Sequence, residues 1–225
     1  MMRRQTNRRE AGFSFIEILV VMAIISVLAT MVVVMVPKIQ EKARQTKSKA
    51  NVSDLVKFYQ LAEVGLSRPW PGLNGKNFVL WLVASNQIDR RRKQNLEILF
   101  SPGDNNYKMA DVQEKEWDAV TLDALKSEGH DDFKHLTSYA GRRNREKQHM
   151  LTSSELLKGA LIICDDDDGP LHHANGLVMG WSGGDVRFME WADLNMGPPS
   201  DEKDPQGLLG DNSPNDELKH MSSGN

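Results

Sequence analysis

The first 36 residues divide into a polar, basic segment and a long apolar run. From Ile18 to Val36 there are 19 residues without a charged side chain, within the stretch GFSFIEILVVMAIISVLATMVVVMV. As a helix at about 1.5 Å per residue, this run spans roughly 28 Å, close to the hydrocarbon thickness of a bilayer. The pattern predicts one membrane-spanning helix, and no second apolar run of this length occurs in the sequence.

Downstream of Pro37, apolar and small residues recur at roughly helical spacing among charged ones. The positions on this face are Ile39, Ala43, Thr46, Ala50, Leu55, Tyr59 and Ala62. The spacing predicts that the helix continues as an amphipathic half, running in total from about Phe13 to Val64. Gly65 is a natural helix stop, and Pro37 lies where the helix would leave the membrane or kink.

Residues 66–192 combine short apolar segments with turn-forming residues, which predicts one small α+β domain. The segment GKNFVLWLVASNQID is long enough to favour a helix, whereas four shorter apolar segments predict strands. These four are Leu96–Phe100, Ala160–Cys164, Gly176–Trp181 and Asp185–Trp191. The SGG between the last two predicts a tight hairpin. Residues 193–225 are rich in Gly, Pro, Ser, Asn and acidic residues, which predicts a flexible acidic tail.

The charge distribution predicts the orientation of the membrane helix. Residues 1–10 carry four arginines and one glutamate, and the positive-inside rule places such a segment in the cytoplasm and the rest of the chain outside it. Removing this segment from the 28 basic and 31 acidic residues leaves a net charge of −6, which argues against a general nucleic-acid binder. The single cysteine, Cys164, cannot form an internal disulfide, so packing, assembly or a bound ion must hold the exported domain.

One acidic residue, Glu17, lies at the start of the apolar run. A carboxylate in a bilayer costs about 2.5 to 3.5 kcal/mol on insertion scales, so we expect Glu17 to have a partner or a function. A cleaved secretory signal is one interpretation of this N-terminus, but such signals have apolar regions of about 7 to 15 residues. A plain signal anchor is a second interpretation, and it gives no reason for Glu17 or for the glycine before the run. A processed assembly helix is the third.

The residues AGFSFIEILVVMAIISVLA resemble the type IV prepilin-like signal, which type IV pilins share with the pseudopilins of type II secretion. The resemblance implies that prepilin peptidase cuts after Gly12 and that Phe13 becomes the N-methylated mature N-terminus. Glu17 is then the fifth mature residue. The resemblance also implies an α+β pilin-like fold, in which a long N-terminal helix, half membrane-spanning and half amphipathic, packs on a small antiparallel sheet.

On this basis the chain divides into five parts. They are a cleaved basic leader (1–12), a transmembrane and assembly helix (13–37), an amphipathic half-helix (38–65), an exported globular head (66–192) and the flexible acidic tail (193–225). The implied function is that of a non-enzymatic structural subunit of a type II secretion pseudopilus or a type IV pilus-like fibre. The alternative is a membrane-anchored exported binding domain that does not polymerise.

The resemblance also implies a location and a set of partners. The chain would cross the bacterial inner membrane once, with its head on the periplasmic side. Its partners would be prepilin peptidase, other pilin-like subunits, an inner-membrane assembly platform and, before extraction, membrane lipid. No nucleic-acid partner is expected.

Glu17 has a physical role in such an assembly. Cleavage gives Phe13 a free amine, and a neighbouring helix shifted by about one turn would set that amine against Glu17. The pair would then fix the register between subunits. In the alternative interpretation, Glu17 only lies at the headgroup level, where the helix dipole favours a carboxylate.

The segment CDDDDGPLHH places an acidic run beside His172 and His173. Its acidic residues are Asp165, Asp166, Asp167 and Asp168. One interpretation is a solvated acidic loop. A calcium site is a second, because hard oxygen ligands on a loop suit this ion and major pseudopilins hold calcium in a loop of the C-terminal sheet. Consecutive aspartates point in different directions, and no metalloprotease helix, nucleophile elbow or phosphate loop occurs, which argues against catalysis.

A second charged segment, DRRRKQ at Asp89–Gln94, predicts a solvated turn. A partner-docking patch is the alternative interpretation of this segment. The sequence does not identify the partner.

We expect the mature chain to begin at Phe13. Replacing Gly12 by leucine should leave the leader attached, because glycine has no side chain to obstruct the peptidase and a branched side chain would. Mass spectrometry of the N-terminal peptide from native membranes checks this, with Gln5→Leu as a control inside the leader. A mature mass unchanged by Gly12→Leu would contradict the predicted cleavage site.

Overall fold

The computed structural model describes residues 13–65, 71–104, 106–127, 133–145, 150–151, 159–165, 171–198 and 208–222. Its α-helices are α1 (Phe15–Gly65), α2 (Gly75–Ala84), α3 (Lys93–Leu96), α4 (Glu114–Ala119) and α5 (Leu122–Lys126). Its strands are β1 (Ala140–Arg142), β2 (Leu161–Cys164), β3 (Gly176–Trp181), β4 (Val186–Glu190) and β5 (Met221–Ser222). Short 3₁₀ turns occupy Glu97–Leu99, Met109–Asp111, Lys134–Leu136 and Leu218–His220. The long helix and the antiparallel sheet confirm the predicted α+β, pilin-like class.

The chain forms two compact units, residues 1–40 and residues 41–225. The described part of the first unit is mainly the apolar part of α1, which continues through Pro37 without ending. Its apolar side chains are exposed, from 40 % at Val36 to 85 % at Phe13. Among the described residues, only this helix, over Phe15–Glu63, is long and apolar enough to cross a membrane.

In the second unit, the described strands form one antiparallel sheet in the order β4-β3-β2-β1-β5. The predicted hairpin between β3 and β4 is confirmed, with Gly176 paired to Glu190 at one end and Gly180 to Val186 at the other. Its turn needs a glycine, because Gly184 has a φ of +94°. The backbone N–H of Gly184 donates to the carbonyl of Trp181 at 2.9 Å and closes this turn.

One face of the sheet packs on the C-terminal half of α1. Val52, Val56 and Tyr59 of the helix belong to the same buried cluster as Ile163 of β2 and Val178 of β3. The contact is close because β3 has a glycine, Gly180, opposite the helix. A Cβ atom added there would lie 2.7 Å from Val52 Cγ1 and 2.9 Å from Val56 Cγ2. A larger residue at this position would therefore push the helix off the sheet.

The predicted core face of the amphipathic half-helix is correct only in its C-terminal part. Leu55, Tyr59 and Ala62 are buried as expected, whereas Ala43, Thr46 and Ala50 are exposed. The buried positions before Val52 are instead the polar residues Ser48 and Asn51. Their burial is tolerated because both are hydrogen-bonded. Ser48 Oγ lies 3.0 Å from Ser101 Oγ, and Asn51 Nδ2 donates to the carbonyl of Phe100 at 2.9 Å.

The predicted strand at Leu96–Phe100 is wrong. This segment continues α3 into the 3₁₀ turn Glu97–Leu99. Leu96 and Leu99 are both buried, and their spacing of three residues suits a helical turn, whereas Glu97 between them is exposed. A short apolar run carries too few positions for periodicity to separate a strand from a helical turn.

The predicted flexible tail is wrong for residues 208–222, and Leu194 near its start is buried as well. Leu208, Leu209, Leu218 and Met221 are buried in a second cluster on the face of the sheet opposite α1. Strand β5 pairs with β1, which the sequence did not predict either, at Gly141–Ser222 and Arg142–Met221. The tail folds because Leu177 and Met179 of β3 point to this face and need an apolar cover. The predicted tail residues 199–207 and 223–225 lie outside the described residues.

A fragment that begins at Lys38 is expected to be soluble and to fold, because both buried clusters lie within residues 41–225. Deleting residues 208–225 from it removes four buried apolar side chains, each contributing about 1.5 to 3 kcal/mol, a large share of a typical domain's stability of about 5 to 15 kcal/mol. We therefore expect the shortened fragment to unfold or precipitate. Thermal melting by circular dichroism tests this, with deletion of residues 223–225 alone as the control. Equal melting temperatures for the two deletions would contradict a structural role of the tail.

Candidate functional site

The first turn of α1 carries the residues predicted for processing and assembly. Gly12 lies outside the described residues, and Phe13 is exposed two residues before the helix. Ser14 precedes the helix, and its backbone N–H donates to Glu17 Oε2 at 2.7 Å. Ser14 and Glu17 thus have the spacing of a capping box, in which a glutamate of the first turn bonds the N-terminal backbone. This S-x-x-E signal is readable in the sequence, and the sequence analysis overlooked it.

The capping bond uses only one oxygen of the exposed Glu17 carboxylate. A carboxylate accepts several hydrogen bonds, so Oε1 can accept from another donor while Oε2 caps the helix. The single chain therefore shows Glu17 stabilising its own helix start. Its predicted role in the register between subunits is compatible with this geometry and stays a prediction.

The acidic segment does not behave as one solvated loop. Asp165 follows β2 and is fully buried, and its Oδ1 accepts the backbone N–H of Val178 at 2.7 Å. Within the described residues, no group of three or more His, Cys, Asp or Glu side chains is arranged to hold a metal ion. Asp166, Asp167 and Asp168 lie outside the described residues, so calcium binding there stays a prediction. The expectation of solvent exposure is wrong for Asp165, because its carboxylate completes the backbone pairing between β2 and β3.

A buried histidine joins this segment to α1. His173 Nδ1 lies 2.8 Å from Glu41 Oε1, and His173 Nε2 lies 3.0 Å from Asp165 Oδ2. Nε2 is also 3.2 Å from Ser48 Oγ on the same helix. We call these four residues, Glu41, Ser48, Asp165 and His173, the charged clasp. The sequence analysis missed it because its members are far apart along the chain.

The clasp favours the charged form of His173. Burial by itself lowers the pKa of His173, but the hydrogen bonds and negative charges of Asp165 and Glu41 outweigh it, and the pKa is raised. An imidazolium donates from both ring nitrogens, which matches a carboxylate on each side of the ring. Protonated His173 therefore bridges α1 and the segment that follows β2.

The adjacent histidine lies in a second buried contact. His172 Nε2 is 3.5 Å from Asp104 Oδ2, and both side chains are almost completely buried. Asp104 Oδ1 accepts the backbone N–H groups of Asn106 and Tyr107, at 2.7 and 3.1 Å. A Cβ atom added at Gly103 would lie 2.2 Å from the carbonyl oxygen of His172, so the two loops are in direct contact. The pair of histidines thus holds two loops and α1 together.

Ser48, His173 and Glu41 are arranged in space superficially like the catalytic triad of a serine hydrolase. Ser48 is fully buried on α1, however, so a substrate cannot reach its hydroxyl. His173 Nε2 also contacts Asp165 Oδ2, and the raised pKa of His173 disfavours the neutral form that a general base needs. The arrangement is that of a structural connection.

Comparison with known proteins concerns the N-terminal segment. The prokaryotic N-terminal methylation motif matches residues 7–33, which include Gly12, Phe13 and Glu17. This prepilin-type signature supports a type IV prepilin-like protein, confirms the recognition made from the sequence, and implies processing by prepilin peptidase. Proteins that carry it are structural and typically non-enzymatic. No curated protein and no solved structure matches the chain.

Replacing His173 by alanine should lower the free energy of unfolding of the head by about 3 to 5 kcal/mol, because Asp165 is left buried without its cation. A raised pKa in the folded state means that the clasp's contribution is complete below about pH 6.5, the pKa of an unfolded histidine, and is lost as pH rises through the folded value. Chemical denaturation at several pH values between about 6 and 9 measures both effects.

The matched control for this experiment is His135→Ala. His135 pairs with Glu116 but its side chain is 42 % exposed, so a change below about 1 kcal/mol is expected. Equal losses for the two histidines, or an unaltered pH dependence in His173→Ala, would contradict the charged clasp.

Proposed function

We propose that this chain is a structural subunit of a type II secretion pseudopilus or a type IV pilus-like fibre, cut by prepilin peptidase after Gly12 and assembled through α1. The observation that carries the proposal is the prepilin-type signature at residues 7–33, which ends inside an apolar helix with exposed side chains. Methylation of the new N-terminus at Phe13 is part of the proposal.

The exposed apolar part of α1 supports assembly through this helix. From Phe15 to Val36 the side chains form an apolar surface along roughly 33 Å of helix, which water does not tolerate on a soluble monomer. Lipid covers this surface before assembly, and the helices of neighbouring subunits cover it in a fibre. The head needs neither lipid nor a neighbouring helix to cover its core, since its own two clusters supply that core.

The proposed location follows from the same helix and its basic leader. The chain crosses the bacterial inner membrane once, and the head lies on the periplasmic side. Partners are other pilin-like subunits and an assembly platform in that membrane. A membrane-anchored domain that does not polymerise is the competing function, and it needs no contact between α1 and a second subunit.

Within the fibre, Glu17 pairs with the Phe13 amine of the next subunit. The capping bond supports this geometry, because it fixes the carboxylate at the helix start and uses only Oε2. In an apolar fibre core both charges are costly alone, and breaking a buried pair costs about 3 to 5 kcal/mol, a factor of roughly a hundred or more in association.

Two substitutions separate the capping role of Glu17 from its charge. Glu17→Gln keeps a carbonyl oxygen that can accept the N–H of Ser14 and removes the charge, whereas Glu17→Ala removes both. We expect both variants to be inserted and cut after Gly12, and both to lose assembly by about a hundredfold, because the amine has lost its counter-charge. Membrane fractionation, N-terminal mass spectrometry and crosslinking between neighbouring helices measure the three steps.

Ser26→Ala is the control, because Ser26 Oγ bonds the carbonyl of Met22 within the same helix and carries no charge. It should assemble normally. Normal assembly of Glu17→Gln together with failure of Glu17→Ala would show that only the cap matters. Normal assembly of both would show that Glu17 has no role in the register between subunits. Absence of helix crosslinks even in the unsubstituted chain would favour the non-polymerising anchor.

A further inference from the structure

The face of the sheet opposite α1 is incompletely covered beside β4, an edge strand. A groove of about 720 Å³ lies there between the β3–β4 hairpin and the segments 193–195 and 214–217. We call it the hairpin groove. Its lining includes Trp181, Asp185, Arg187, Asp193, Asp216 and Glu217. Its volume lies within the range of sites that hold a ligand or a short peptide segment.

The groove arises because the C-terminal segment covers only part of this face. Leu177 and Met179 of β3 are buried beneath Leu208, Leu209 and Leu218. The end of the hairpin is left more open, since the Trp181 side chain is partly exposed and that of Arg187 is 65 % exposed. A partly aromatic surface thus remains accessible next to an edge strand, and natural proteins commonly cover or charge such edges.

The groove is acidic. Asp185, Asp193, Asp216 and Glu217 line it together with one basic residue, Arg187, and Lys219 pairs with Asp216 at 2.7 Å from outside the lining. With Lys219 counted, these six groups carry a net charge of −2. The Trp181 indole N–H donates to Glu217 Oε2 at 3.1 Å, and the Arg187 guanidinium lies 5.9 Å from the Trp181 ring centre. Carboxylates beside an aromatic face are the surroundings that arginine side chains prefer.

A complementary surface lies elsewhere on the head. The segment Asp89–Gln94, which we call the basic run, carries four cations and one carboxylate, a net charge of +3. Arg90 anchors it by donating to the carbonyls of Trp117 and Val120, at 3.2 and 3.5 Å. Arg91, Arg92 and Lys93 are exposed, and none of the six residues of the basic run lines the hairpin groove.

We propose that the hairpin groove of one copy of this chain binds the basic run of a second copy. This inference rests on the proposed function, because two different surfaces of one subunit make a heterologous contact, which generates an open chain of subunits. The opposite charges of the two surfaces favour a second copy as the occupant. Exposed ion pairs are individually weak, so the contact orients neighbouring heads while the apolar helices supply most of the association.

A disulfide between two copies of the full chain tests the contact. One copy carries Gly183→Cys in the groove, where an added Cβ meets no atom nearer than Gly159 Cα at 3.9 Å. The other copy carries Gln94→Cys at the exposed end of the basic run. The native Cys164 is buried in the sheet and does not compete. Co-expression in cells that process and assemble the chain, followed by a non-reducing gel, should show a dimer of the two.

Charge reversal then tests the recognition itself. Arg91→Glu with Arg92→Glu in the Gln94→Cys copy should reduce the dimer about fivefold or more, because attraction becomes repulsion at two positions. Adding Asp185→Lys and Asp216→Lys to the groove copy should restore the dimer, which also shows that the reversed chains fold. The control, Lys115→Glu with Lys126→Glu, makes the same change in net charge at two exposed positions outside both surfaces and should leave the yield unchanged.

The outcomes separate this contact from the proposed function. If the dimer is absent while Glu17-dependent crosslinks between helices persist, the head contact is overturned. The proposed function as a fibre subunit is then unaffected. A dimer without those helix crosslinks supports the contact and counts against the fibre. Loss of both overturns both. Reversal without restoration, or a disulfide from Gly183→Cys to a different protein, overturns the second copy as the occupant.

Discussion

The head depends on the contact between its sheet and one half of a single helix. Val52, Leu55, Val56 and Tyr59 of α1 supply the buried surface on which the sheet lies, and Gly180 of β3 allows the close approach. The same helix presents apolar side chains outward in its N-terminal half. One continuous helix thus contributes to the core of the head at one end and leaves an apolar surface exposed at the other. In the proposed fibre subunit, lipid or neighbouring helices cover that surface.

The charged clasp adds a polar restraint to the apolar packing between α1 and the sheet. It acts on the connection between β2 and β3. His173 lies between Glu41 on the helix and Asp165 at the end of β2, and Ser48 accepts or donates within the same group. A buried ion pair gains little net stability over well-packed apolar residues, because its charges must leave water. Its contacts, however, join particular residues of α1 to the segment after β2, so the clasp favours this placement of that segment on the helix.

The second face of the sheet is closed by the C-terminal segment rather than by another helix. Strand β5 covers the edge of β1, and leucines of residues 208–218 cover Leu177 and Met179. Strand β4 at the opposite edge has no such cover among the described residues, and the acidic hairpin groove lies beside it. The uneven closure of one sheet therefore produces both the stability of the tail and the surface proposed to receive a neighbouring subunit.

The sequence determined the features that depend on neighbours along the chain: the length of α1, the β3–β4 hairpin at its SGG turn, and the cleavage signature at Gly12 and Phe13. The capping of Ser14 by Glu17 belongs with them, because its S-x-x-E spacing is local. The charged clasp exists only in the folded chain, because His173 contacts side chains 125 and 132 residues away. The same holds for the tail, whose few leucines lack any periodic pattern and become ordered only when the far face of the sheet exists to bury them. Local spacing fixes backbone conformation, whereas burial and charge pairing depend on segments that folding alone brings together.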